Sequence, residues 1–202
     1  MQAELSFAPA GGALVCGVDE AGRGPLAGPV VSAAVMLPAE HAPTGLADSK
    51  ALSRGRRETL YAEIMTSCGV GVGQATVAEI DELNILRATL LSMARAVAAL
   101  PTAPTLALVD GNRPPALACE VRCIVKGDAT EPAISAASIV AKVTRDRIMH
   151  DLALRHPGYG WERNAAYGTA EHRAALRALG ATEHHRTSFA PVREVSGHAI
   201  SR

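Results

Sequence analysis

Aromatic side chains are scarce: Phe, Trp and Tyr make up 3% of the 202 residues. A core must therefore be built from Ala, Val, Leu and Ile, and a 48% hydrophobic composition is enough for one domain of good size. The few aromatics gather late, with Tyr159, Trp161 and Tyr167 close together. Net charge is also missing, since 20 Lys+Arg balance 20 Asp+Glu. The chain thus lacks the bulk basic character that marks many nucleic-acid and membrane binders. The balance is uneven along its length, however. Residues 1–121 hold 8 basic and 12 acidic side chains and residues 122–202 hold 12 and 8, an acidic half suited to cations beside a basic half suited to a polyanion. The four cysteines form no CxxC pair and read as buried free thiols in a reducing compartment. No basic segment followed by an apolar block opens the chain, and no apolar run reaches membrane-spanning length. The expectation is a cytoplasmic protein without membrane association, its residues 1–12 a loose leader.

What is present is organised around Gly17-Val18-Asp19-Glu20-Ala21-Gly22-Arg23-Gly24-Pro25-Leu26-Ala27-Gly28-Pro29. An apolar strand from Leu14 to Val18 delivers two acids, whose repulsion calls for something positive such as a hard divalent cation. Neighbouring residues on a strand point to opposite faces, so Asp19 and Glu20 can share a metal only if the strand twists or ends between them. The glycines let backbone N–H groups approach a phosphate or sugar. Their spacing is GxGxxxG, a proline follows the second glycine, and a strand (30–37) comes next, which excludes a dinucleotide-binding fingerprint. The two strands pair as a hairpin.

Ser53 can cap a helix through Arg56, Leu60 and Ile64. Gly69 to Gly73 alternates as a third strand. The spacing Ile80, Leu83, Leu86, Leu90, Met93, Val97, Leu100 predicts one long amphipathic helix closed by Pro101. Leu106 to Val109 is a buried-type strand ending in Asp110-Gly111-Asn112, and 121–125 another, ending in Lys126-Gly127-Asp128. Each Asp-Gly alone is an ordinary turn. Three strand ends that each finish in an acid beside glycine, in an α/β chain, place acids where functional residues gather. Residues 131–155 form a helix whose Ser135, Ser138 and Lys142 can share a face. A helix from Glu171 to Leu179 ends at Gly180, and the segment after Phe189 shows no periodicity.

If Asp19, Glu20, Asp110 and Asp128 converge, neutrality demands roughly two divalent ions, the clamp used for in-line phosphoryl displacement. Oxygen-only ligands point to Mg²⁺ or Mn²⁺ over Zn²⁺.

The segments GVDEAGRGPLAGPVV, DSKALS, EIDELNIL, DGN, KGDATEPAISAASIVAKVTRDRIM, YGTAEH and GATEHHRTSF resemble, in order and spacing, bacterial type 2 ribonuclease H, the ribonuclease HII family. The resemblance runs from about residue 13 to 191, leaving 192–202 as a loose tail. It implies an α/β fold: a ribonuclease H-like mixed β-sheet flanked by helices, with a small helical C-terminal part from about residue 156. It implies a monomeric endonuclease that hydrolyses the RNA strand of RNA/DNA hybrids and incises 5′ of single ribonucleotides in duplex DNA, leaving a 3′-hydroxyl and a 5′-phosphate. By resemblance Asp19, Glu20, Asp110 and Asp128 are metal ligands. Gly22, Arg23 and Gly24 read the ribose 2′-hydroxyl, and Tyr167 packs on the next sugar. Ser49, Lys50, Asn84, Ser135 and Lys142 line the substrate groove. One departure is Asn164-Ala165-Ala166-Tyr167, where many members carry Lys-Gly before the tyrosine. A DNA nuclease of the same superfamily, and a binding module without turnover, are the competing readings. A duplex containing one ribose, tested against an all-DNA duplex, separates them.

Overall fold

A computed structural model describes residues 14–38 and 42–198; the expected leader, 1–12, lies outside them. Strands β1 (Val15–Ala21) and β2 (Val30–Met36) form the expected antiparallel hairpin, with Asp19 opposite Ala33 and Glu20 opposite Ser32. Strand β3 (Gly69–Ala75) joins β2 antiparallel, while β4 (Leu106–Asp110) and β5 (Glu120–Ile124) continue the sheet in parallel on the other side. The result is a mixed five-stranded sheet of order β3-β2-β1-β4-β5. The carboxyl ends of the central neighbours β1 and β4 therefore lie side by side, with Val18 paired to Val109.

Helices cover both faces. On one, α1 (Arg54–Ser67, capped by Ser53) and the long α4 (Pro132–Arg155) bury Ala33 and Val35. On the other, α3 (Ile85–Ala98) buries Cys16, Val18, Ala34 and Val109. The alternation in burial follows the period-two pleat. Small residues set how closely helix and sheet approach. A Cβ on Gly17 would lie 2.1 Å from the carbonyl carbon of Ala133 in α4, and one on Gly71 2.1 Å from the carbonyl oxygen of Ala96 in α3. The low bulk of the third strand is thus what admits α3.

Two expectations are corrected. The single helix from residue 80 to 100 is two, α2 (Val77–Leu83) and α3, because Asn84 adopts φ 71° and its Oδ1 accepts hydrogen bonds from the amides of Leu86 and Arg87. Apolar spacing runs through the break unaltered, so periodicity alone could not reveal it. The tail after Phe189 is not loose throughout: Ala190–His198 is helix α7, with Val192 buried against Leu26 and Leu176. Between α4 and α7 come the short α5 (Trp161–Asn164) and α6 (Ala170–Leu179), capped by Thr169 and ended by Gly180. Among the described residues no helix is long and apolar enough to cross a membrane.

Candidate active site

Strand β1 does not end between its two acids but runs on to Ala21. The pleat starts them on opposite faces, Asp19 beside Ala33 toward α4 and Glu20 beside Ser32, whose hydroxyl lies 2.6 Å from that of Ser92 in α3. They nonetheless lie close enough for each charge to act on the other, and Asp19 Oδ1 accepts from the Glu20 amide at 2.7 Å. Asp110, at the end of β4, accepts from the Gly127 amide at 2.8 Å. That contact draws in the one-turn 3₁₀ helix Gly127–Ala129, which carries Asp128.

Burial, then the charges of Glu20 and Asp110, hold the Asp19 carboxyl well above the usual carboxylate range. Burial raises Glu20 against the relief given by Arg23, and burial with the Asp128 charge raises Asp110. Protein cations answer this charge only in part: Arg23 Nη1 is 3.3 Å from Glu20 Oε1 and Lys50 Nζ is 3.6 Å from Asp128 Oδ2, both on exposed side chains. Four crowded carboxylates, with oxygen the only donor atom, fit a hard divalent cation such as Mg²⁺ or Mn²⁺.

Beside the acids opens a cleft of about 250 Å³. It gathers most of the sequence-predicted substrate residues: Gly22, Arg23, Gly24, Ser49, Lys50, Lys142 and Tyr167, together with Glu20. Tyr167 is 48% exposed, and its Cε1 is 3.4 Å from where a Gly24 Cβ would be. Two predicted residues are elsewhere. Asn84 lies outside this cleft, its side-chain oxygen committed to capping α3. Ser135 is buried beneath the acids, its hydroxyl donating to the Asp128 carbonyl at 2.7 Å, so it supports Asp128 from below. Its helical neighbour Ser138 lines the cleft instead and donates to Ser49 at 2.9 Å.

Sequence reasoning missed what holds the glycine loop. Arg186 is fully buried and donates to the carbonyls of Gly22, Arg23, Pro25, Gly28 and Pro29 at 2.6–3.2 Å. Arg145 of α4 donates to those of Ala27, Pro29 and Ala165 at 3.1 Å each. Burial pushes Arg145 down to about 10 and Arg186 to about 9, which leaves both charged at neutral pH. Gly22 (φ 99°) is obligatory, because a Cβ there would lie 2.0 Å from Arg145 Nε. With the carbonyls turned toward two guanidiniums, the amides of Arg23 and Gly24 have no acceptor among the described residues. Two amides of a loop that lines the cleft are thus left without a partner among the described residues.

A second buried network positions Tyr167. The Tyr167 carbonyl faces His172 Nδ1 at 3.0 Å, so that nitrogen carries the proton and Nε2 accepts from Trp161 Nε1 at 3.0 Å. His185 takes the Thr182 amide on Nδ1 and so donates from Nε2 to His172 at 3.1 Å. Burial, then His172, pushes His185 down to about 4, and burial lowers His172. Asn164 organises the turn before the tyrosine, its Oδ1 accepting from the Ala166 amide at 2.8 Å while Ala165 and Ala166 take φ of 46° and 65°. The turn before Tyr167 is thus made by two alanines in left-handed conformation.

The sequence matches the family model described as Ribonuclease HII over residues 16–192. It is 60% identical to the ribonuclease HII of Parvibaculum lavamentivorans, covering 90% of this chain and 68% of that protein. It is 57% identical to that of Granulibacter bethesdensis, covering 91% and 87%. The fold superposes on the crystal structure of ribonuclease H2 from Pyrococcus horikoshii with a TM-score of 0.77 at 27% identity, covering 93% of this chain and 99% of that one. On this agreement of sequence and fold, the chain belongs to the ribonuclease HII family of metal-dependent endoribonucleases.

Proposed function

We propose that this ribonuclease H hydrolyses the RNA strand of RNA/DNA hybrids and also incises duplex DNA on the 5′ side of a single embedded ribonucleotide, leaving a 3′-hydroxyl and a 5′-phosphate. Its role is then the removal of ribonucleotides from DNA. Asp19, Glu20, Asp110 and Asp128 would hold two ions of Mg²⁺ or Mn²⁺, which would supply activation of the attacking water and stabilisation of the leaving oxygen.

The observation that carries the reading is the pairing of donor amides with the exposed ring of Tyr167 in the cleft beside the acids. The 2′-hydroxyl is the only group that marks a lone ribose within a DNA strand, and its oxygen can accept from the Arg23 and Gly24 amides. Tyr167 stacks against the adjoining sugar and fixes the register of the scissile phosphate. Lys50 and Lys142 offer positive charge to the backbone phosphates. A nuclease for plain DNA has no use for a ribose sensor. Four free cysteines suit work in the reducing cytoplasm.

The test is cleavage of a duplex carrying one ribonucleotide against its all-DNA twin, in Mg²⁺ and then Mn²⁺, with the product ends identified. Cutting of the ribose duplex alone, 5′ of the ribose, is expected. Equal rates on the two duplexes would overturn the reading.

A further inference from the structure

Away from the acid cluster, three metal-ligating side chains converge from two parts of the chain: His156, which ends α4, and Glu183 and His184 in the turn before Arg186. One ligand atom from each lies within 4.8 Å of the others. His184 Nε2 is 3.7 Å from Glu183 Oε1, and the two imidazole rings meet edge to face with centroids 4.8 Å apart. Among the described residues, none of the three side chains hydrogen-bonds to anything outside the group. Ligands bonded to one ion at about 2.0–2.2 Å lie roughly 3.5 Å apart, so side-chain rotation is enough to close the set.

Two imidazoles and one carboxylate are softer than the all-oxygen cluster at β1 and β4. Such a set takes Zn²⁺, Co²⁺ or Ni²⁺ in preference to Mg²⁺ and leaves a coordination position open. The last turn of α4 adds the partial negative charge of its free carbonyls, against the opposing charge of Arg155.

The position gives such an ion a consequence. The His184 carbonyl accepts from the Gly28 amide at 2.8 Å, His185 bridges to Ala27, and Arg186 holds the carbonyls of the glycine loop. We propose that His156, Glu183 and His184 form a second, transition-metal site. There Zn²⁺ or a similar ion fastens the end of α4 to the turn that backs the substrate-reading loop.

Co²⁺ serves as the probe, titrated into the full chain with Mg²⁺ in large excess and followed by its visible absorption. One saturable event is expected in the wild type. His156→Gln should weaken it at least tenfold and Asp110→Asn should leave it in place. Mg²⁺-dependent cleavage by His156→Gln serves as its folding control. Glu183→Gln, on a side chain 79% exposed, is the second variant should the first not fold, with the same loss expected. An unchanged Co²⁺ affinity in the folded variant would overturn the proposal, as would an event that disappears in Asp110→Asn.

Discussion

Asp19 and Glu20 stand with their negative charge answered only in part, while two residues further on the Gly22–Pro29 loop has its carbonyls bound by two buried guanidiniums. The acids are under mutual repulsion and become comfortable only with a ligand. The loop is satisfied without one and keeps its shape. On the proposed function, the difference teaches how one short stretch can divide cutting from choosing: the acids would be completed by metal, while the loop is preorganised by Arg145 and Arg186.

The strongest way to break this comparison is at the acids. Asp19→Asn should lower Mg²⁺-dependent cleavage by about a thousandfold or more, the scale of losing an essential group. It should also raise the metal-free melting temperature at neutral pH. The sign follows from the raised folded-state values of Asp19, Glu20 and Asp110. Their contribution to stability is complete below the ordinary 3.8 of Asp and 4.5 of Glu, and is lost as pH rises through the raised values. Mg²⁺ should therefore stabilise the wild type more than the variant, and melting curves with and without Mg²⁺ check this.

Arg186→Lys strikes the other half. It keeps the charge but cannot serve five carbonyls, and should cost roughly 2–3 kcal/mol of stability. It should reduce the preference for a single ribose about tenfold while leaving the Mg²⁺ concentration for half-maximal cleavage unchanged. Denaturant melts and paired cleavage rates read both effects.

A smaller effect concerns the histidines behind Tyr167. With His185 moved from 6.5 to about 4, its contribution is present above pH 6.5 and declines as pH falls toward 4, where the unfolded chain takes up the proton first. His185→Gln should flatten the melting temperature across that window. The smallest is Ala165→Gly, which relieves a left-handed alanine at φ 46° and should add up to about 1 kcal/mol of stability.

The gathering of the acids was largely legible in the sequence, because acids beside glycine end or follow three strands and the strands pair as their alternation requires. The helix caps at Ser53, Thr169 and Gly180 carry chemical signatures, and so does the capping box of Thr76 with Glu79 that starts α2. The break at Asn84 left no mark in the apolar spacing, and α7 is short with few apolar residues. Nothing in the sequence marks Arg145 and Arg186 as buried. Their partners are backbone carbonyls, which every residue possesses and no side-chain pattern announces. Ser135 and Ser138 sit on one helix, yet only the packing decides that the first supports Asp128 and the second faces the cleft.

The division of labour is tested most directly by the affinity of Asp110→Asn for a duplex with one ribose and for its all-DNA twin. A chain that has lost its ability to cut should still bind the ribose duplex about five- to tenfold more tightly, the worth of a hydroxyl held by fixed amide donors. Equal affinity for the two duplexes would contradict the account.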